Sequence, residues 1–419
     1  MPRPRFLLRL GVLGLGLLCA QRSGTFAADL VLTAEPASID RWMYPFNGTP
    51  GSRSAAPTFG SAGDGTGVDT RHGQFLLGWN TASLVPTNAG PVNYLVRRAV
   101  VSILVKNDRK FALDPTHDSW RTFLPVEHSL HLDDADAGAP VELFGAGFRG
   151  GFTEETFLEN SAFGSSAAGE RNAFATSYDT NGVFVDVGNN VGKATAQFAP
   201  FEAWPFAVGD VAGLAPGELV PVDSPMRFEI DLSDPLVVGY LQRGLDAGRL
   251  RFVVSSLHGA SFGGEQSYPD FHTRESLGGD PPILDLEVTV VSETDSDTDG
   301  LPDDWERFHF TDLSNLPEVD DDVDGLSNLL EWRAGTNPTN AASGLKLQPL
   351  ASGSGSVARF TPAPSRSYGA EVSTNLPEWH PAEGGFQFPS PGVAEWHSAT
   401  NAAPASFFRI QATPELSRP

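Results

Sequence analysis

Two acidic runs in series constrain this chain more than any other feature: DSDTDGLPDDWE at 295–306 and DDDVDGLSNLLE at 320–331. In each, carboxylates stand at positions one, three and five, Gly300 or Gly325 follows at six, and Glu306 or Glu331 closes at twelve. Alternate residues of a tightly curled loop can point inward together, and a calcium ion takes about six to eight hard oxygen ligands, so the spacing is that of a calcium loop. The glycine permits the turn where a Cβ would clash. Asp295, Asp297 and Asp299 would supply side-chain oxygens, Leu301 its carbonyl, Asp303 a direct or water-mediated contact, and Glu306 both oxygens. In the second run these roles fall on Asp320, Asp322, Asp324, Leu326, Asn328 and Glu331. A single acidic run is usually only a solvated stretch. Two with the same internal spacing are harder to explain that way.

The runs resemble the calcium loops of EF-hands, dockerins and thrombospondin type 3 repeats, and above all the acidic calcium-loop segments of bacterial surface proteins. They depart from EF-hands at position eight, where Pro302 and Ser327 replace a branched aliphatic residue that would join paired loops. No amphipathic pattern leads into either loop. An exiting helix is suggested after the first by Leu301, Trp305 and Phe308, and after the second by Leu326, Leu329 and Leu330. The resemblance therefore implies half-EF-hands, the second ended by Gly335 and Pro338.

Composition bounds the rest. A chain of 419 residues holds two or three domains, and 44 glycines and 33 prolines with few long helical patterns predict mostly β structure. The formal charge is -24, with fourteen acids against Arg307 and Arg333 in residues 292–340, which argues against nucleic acid and anionic membrane as partners. Residues 1–27 read as a secretory signal peptide: Arg3, Arg5 and Arg9, an apolar run over 10–18, and a cleavage point after Ala27. The only cysteine, Cys19, lies inside it, so an exported chain would be held by its core and by metal rather than by a disulfide. No later apolar run is long enough to span a membrane, which leaves a secreted or cell-surface location.

The first domain is expected over 28–291, with a long insertion at about 107–210. Its strands include QFLLGW, RRAVVSILVK, MRFEIDL, LRFVVSSL and ILDLEVTV, the last alternating Leu284, Leu286, Val288 and Val290 against Asp285, Glu287 and Thr289. Ser233 or Asp234 caps a short helix with Pro235 in its first turn and Gly248 after its end. The order of DRWMYPF, APTFGS, VDTRHGQFLLGWNTASLVP, YLVRRAVVSILV, FEIDL, SSLHGA, PDFHTRES and PPILDLEV resembles the secreted DNRLRE-type, disaggregatase-related domains. That resemblance implies a jelly-roll β-sandwich and, in some members, carbohydrate binding. Trp42, Tyr44 and Phe46 read either as a core edge or as an aromatic platform for a sugar ring, the site resting on Trp42 and Tyr44. Within the insertion, PVELF is strand-like, and ELFGAGFRGGF, with no usable period, reads as a surface loop ordered by its phenylalanines, with a lid over the sandwich as the alternative. Residues 292–340 form the tandem calcium loops, and 345–415 a small C-terminal β module.

Catalytic strings fail on context. Gly145, Gly147 and Gly150 fit GxGxxG without the βαβ units a dinucleotide fold needs. Gly259, Ser261 and Gly263 fit GxSxG without the helix a nucleophile elbow needs. His128, His131 and Asp133 lack a fourth metal ligand, and adjacent Glu154 and Glu155 diverge. The sequence thus predicts a mainly β, calcium-binding, exported protein that contacts extracellular polysaccharide or matrix without catalysis. A purely structural adhesion protein and a polysaccharide-degrading enzyme with its site under the insertion are the alternatives.

Overall fold

The computed structural model describes residues 30–34, 37–61, 72–136, 138–164, 170–192, 201–260, 266–350, 356–399 and 407–415. The expected signal peptide, and Ser261 and Gly263, lie outside the described residues. The chain is mainly β, in curled antiparallel sheets of the β-sandwich, jelly-roll-like class.

In chain order the first strands are β1 (Leu30–Ala34), β2 (Ile39–Met43), β3 (Ala55–Pro57), β4 (Gln74–Asn80), β5 (Tyr94–Leu104), β6 (Val141–Phe148) and β7 (Ala173–Tyr178). There follow β8 (Phe184–Asp186), β9 (Ala207–Asp210), β10 (Pro225–Glu229), helix α1 (Pro235–Asp246), β11 (Arg249–Ser256), β12 (Asp270–His272) and β13 (Ile283–Val290). The main sheet runs β1-β13-β5-β10-β9-β6-β11-β4-β2, with β7 and β8 added beside β6. Strand β9 pairs with β10 on one side and β6 on the other, so one half of the sheet rolls over the other.

Side chains alternate across a strand, and β4 shows the consequence. Phe75, Leu77 and Trp79 enter the interior with Val101, Ile103, Phe228, Phe252 and Leu286. Leu76 points the opposite way and is equally buried, packed with Phe144, Val253, Trp120, Leu124 and Phe157. The second half of the sheet is therefore covered on both faces, which explains why QFLLGW reads as a continuous apolar run rather than an alternation. The cover comes from residues of the 107–210 segment, and burying each large side chain there is worth about 1.5–3 kcal/mol.

The expectation of a surface loop at ELFGAGFRGGF is corrected here. Val141–Phe148 is strand β6, paired to β11 along one edge and to β9 and β7 along the other. Glycine is a poor strand former, yet a Cβ at Gly147 would lie 2.4 Å from the Phe174 ring and one at Gly145 2.7 Å from the Phe184 ring. Those glycines admit aromatic rings over the strand. They belong to an antiparallel sheet, not to a dinucleotide turn.

Helix α1 forms as its sequence predicts. The Asp234 side chain accepts from the Leu236 N–H, Pro235 begins the first turn, and Gly248 follows the end at φ 75°. In β13 the alternation holds for Leu284, Leu286 and Val288, but Thr289 is also buried. A bulge explains it: Glu287 pairs with Arg98 and Val288 with Val96, so the register skips Arg97 of β5. The Arg97 side chain reaches the next segment.

That segment follows β13 directly. It contains α2 (Asp303–Phe310) and α3 (Asn328–Ala334). The C-terminal module then builds one sheet from β14 (Gln348–Leu350), β15 (Val357–Phe360), β18 (Gly384–Ser390) and β19 (Val393–Ser398). A second sheet holds β16 (Arg366–Ser373), β17 (His380–Pro381) and β20 (Phe407–Pro414). Phe360, Ala394 and Trp396 are buried in this module. Two Trp-His dipeptides, at 379–380 and 396–397, are not cross-strand partners: His380 opens β17 in one sheet, and Trp396 and His397 lie in β19 of the other.

The three parts are in contact. Arg97 donates to the Phe308 carbonyl and its guanidinium stands 3.8 Å from the Phe308 ring centroid. Trp305 of α2 packs 5.9 Å from Trp332 of α3, over Val291, Leu301 and Leu95. From the module, Ser365 donates to Gln242 of α1 at 2.6 Å, and Glu415 accepts from Arg243 at 3.0 Å.

Candidate calcium centre

The two acidic runs fold into the same loop. In the first, the Asp295 carboxylate accepts from the N–H groups of Asp299 (3.2 Å) and Gly300 (3.0 Å), and Asp299 accepts from Leu301 N (2.9 Å). In the second, Asp320 accepts from Asp324 (3.0 Å) and Gly325 (2.8 Å), and Asp324 from Leu326 N (2.7 Å). Position four is left-handed in both, Thr298 at φ 63° and Val323 at φ 61°, and glycine at position six has φ 98° and 102°. A β-branched residue with positive φ is strained. Its repetition at matching positions shows that the loop, not the side chain, dictates the conformation.

Each loop also closes on itself in the same way. The N–H of position nine donates to the carbonyl just before position one: Asp303 to Thr294 (2.8 Å) and Asn328 to Val319 (2.8 Å). The side chains at positions two and nine then pair, with donor and acceptor exchanged. Ser296 donates from both N and Oγ to the Asp303 carboxylate at 2.7 Å, whereas Asn328 Nδ2 donates to Asp321 at 2.8 Å. Asp303 is further bonded by Arg307 at 3.2 Å. Its carboxyl is held below the usual range because these bonds outweigh burial. The residue expected to contact the ion directly or through water is thus engaged as a brace.

The remaining positions converge. One carboxylate oxygen each from Asp295, Asp297 and Asp299 lie within 4.8 Å of one another, and so do those from Asp320, Asp322 and Asp324. Glu306 is 0% exposed and neither carboxylate oxygen has a hydrogen-bond partner; Glu331 is equally buried and its Oε2 has none. Asp322 Oδ2, Asp324 Oδ2 and Asn328 Oδ1 are likewise buried without a hydrogen-bond partner. Burial pushes both glutamates up to about 7, and the aspartates of their own loops add to it. A buried carboxylate without a donor is costly unless a cation compensates it. The residues present fit a hard, oxygen-liganded cation.

Helices leave both loops, and among the described residues none enters either: β13 leads into the first and an irregular stretch into the second. Leu301 is fully buried beside Val291 and Trp305, which anchors the seventh peptide where its carbonyl would be used. Gly335 ends α3 in the left-handed region.

The other sequence candidates sit differently. Trp42 is 9% exposed and stacks on half-buried Tyr44 with centroids 4.4 Å apart, so one face of each ring is taken by the other. Phe46 is the most exposed ring of that trio. Within the 107–210 segment, His117 contacts Glu142 at 2.5 Å and Glu202 at 3.5 Å. Burial alone would lower the His117 pKa, but the two carboxylates raise it to about 10. Glu142 is buried, while the His117 and Glu202 side chains keep 16% and 23% exposure, so the group is a partly buried ion network. His131 Nδ1 lies 2.9 Å from the Leu124 carbonyl, and Glu155 3.5 Å from Arg249, contacts that position loops.

No family model matches the chain, and no curated protein matches it.

Proposed function

We propose that this is an exported, calcium-binding protein in which two calcium ions stiffen the joint between a β-sandwich and a small C-terminal β module, and that it contacts extracellular polysaccharide or matrix. The observation that carries the calcium reading is the repeated placement of a buried glutamate with unpaired oxygen beside three converging aspartates. The acidic composition and the cysteine-free mature chain support an extracellular setting, where calcium is abundant enough to fill sites with dissociation constants of about 0.1–1 mM. Among the described residues no helix is long and apolar enough to cross a membrane.

Polysaccharide contact is supported by a cleft of about 470 Å³ at the joint, lined by Trp332, His309, Asn337, Asn340 and Arg366. Aromatic faces with amide and guanidinium donors suit sugar rings, and clefts between domains are common ligand sites. Calcium-dependent retention on insoluble polysaccharides tests both halves. Retention that disappears on chelation supports the reading. Retention absent under every condition, with calcium still bound, leaves the purely structural adhesion role.

A further inference from the structure

A third acidic group lies away from the joint, in the cover of the sandwich. Asp114 and Asp118 precede a 3-10 turn at Trp120–Phe123, and Asp136 comes from the loop before β6. One carboxylate oxygen of each lies within 4.8 Å of the others. Asp114 and Asp118 are each only 6% exposed, whereas Asp136 is exposed. Asp114 Oδ1 accepts from Thr116 N at 3.0 Å, and the Thr116 hydroxyl stands 2.6 Å from that oxygen and 3.0 Å from Asp136 Oδ2.

The observation that points to a ligand is separate from this clustering. Asp114 Oδ2 and Asp118 Oδ2 are both buried and have no hydrogen-bond partner. A Cβ at residue 138 would lie 2.7 Å from Asp114 Oδ2, so Gly138 lets the chain close over that oxygen. The charged groups acting most strongly on Asp118 are Asp114, Asp134, Asp136 and Glu142, all acidic. The intervening His117 is turned to Glu142 and Glu202.

We infer that Asp114, Asp118 and Asp136 form a third calcium site, which ties the 114–118 segment of the cover to the loop before β6. Two buried carboxylates and one exposed carboxylate offer hard oxygens to a cation that enters from the exposed Asp136 side, with water completing the shell. Loss of this ion would loosen the 113–138 stretch, not the joint. The two kinds of site are therefore separable in one chain.

The test counts calcium bound to the full chain after dialysis against millimolar calcium. The intact protein should hold three ions and Asp136→Ala two, the altered residue being exposed and so tolerant of change. Asp118→Asn, which keeps shape and removes charge, should also hold two. In Asp297→Ala with Asp322→Ala one ion should remain, and adding Asp136→Ala should remove it. If the joint loops bind nothing, the intact chain should hold one ion and Asp136→Ala none. The site is overturned if Asp136→Ala and Asp118→Asn both bind as many ions as the intact chain with unchanged affinity.

Discussion

The two acidic loops share a backbone down to a strained fourth residue, yet they differ in how free their ligands are. In the first, both oxygens of Glu306 lack partners, and Arg307, the neighbouring cation, is engaged with Asp303 and Asp304 rather than with the aspartates at one, three and five. In the second, Thr336 donates to Glu331 Oε1 at 3.1 Å, and Lys346 stands 3.7 Å from Asp324 Oδ2. Matching spacing therefore fixes where ligands can point, while flanking residues decide what an arriving ion must displace. The first loop should bind calcium more tightly.

The largest effect comes from disabling both loops. At calcium one hundred times the dissociation constant, each site adds about 2.7 kcal/mol of stability by mass action. Intact protein should gain on the order of 5 kcal/mol from the two joint sites, and Asp297→Ala with Asp322→Ala should lose that gain, measured by denaturant unfolding with and without calcium. Equal stabilisation of the variant and the intact chain would break the comparison at its root.

Next in size is the contrast between single closures. Glu306→Gln should cost the first site more affinity than Glu331→Gln costs the second, because both Glu306 oxygens are open to a bidentate ion and the amide keeps only one, whereas one Glu331 oxygen is already engaged by Thr336. A difference of about tenfold corresponds to 1.4 kcal/mol, within reach of titration calorimetry. Equal losses would mean that the Thr336 bond does not compete with the ion.

The pH dependence sharpens the same point. Burial and the loop aspartates lift Glu306 and Glu331 to about 7 in the calcium-free chain, above the ordinary glutamate value of 4.5. The folded chain then binds more protons than the unfolded chain between these values. The stability involved is complete below about pH 4.5 and is lost as pH rises through about 7. Calcium-free protein should thus lose stability from pH 5 to 8. Saturating calcium keeps both groups ionised and should reduce that slope, read from melting temperatures across the range.

How much of this was legible in the sequence follows from what sets each feature. The loops were legible because an ion demands oxygens at set intervals, and the exiting helices because Trp305 and Leu329 follow a helical period. The Ser296–Asp303 and Asp321–Asn328 braces were not anticipated, since spacing does not say which of two polar groups will turn toward its neighbour. PVELF reads as a strand, but the glycine-bearing second half of β6 is hidden because its glycines suit aromatic rings that arrive from β7 and β8, about thirty to forty residues later. Asp114 and Asp118 were missed for a related reason. DPTHD resembles a turn, and Asp136, which completes the group, belongs to another loop.

The smallest expected effect isolates a single neighbour. Lys346 is half exposed, so its attraction to Asp324 is screened by water and salt, and pairs of this kind are worth about 0–1 kcal/mol. In the calcium-free chain it partly neutralises the loop; in the calcium-bound chain its charge opposes the ion. Lys346→Ala should therefore raise calcium affinity at the second loop by about two- to fivefold, equivalent to less than 1 kcal/mol, and leave the first unchanged. Raising the salt should shrink the difference, because screening weakens exposed charges first. If the variant changed both loops alike, Lys346 would be acting through the overall charge of the chain. The asymmetry between the loops would then rest on Thr336 alone.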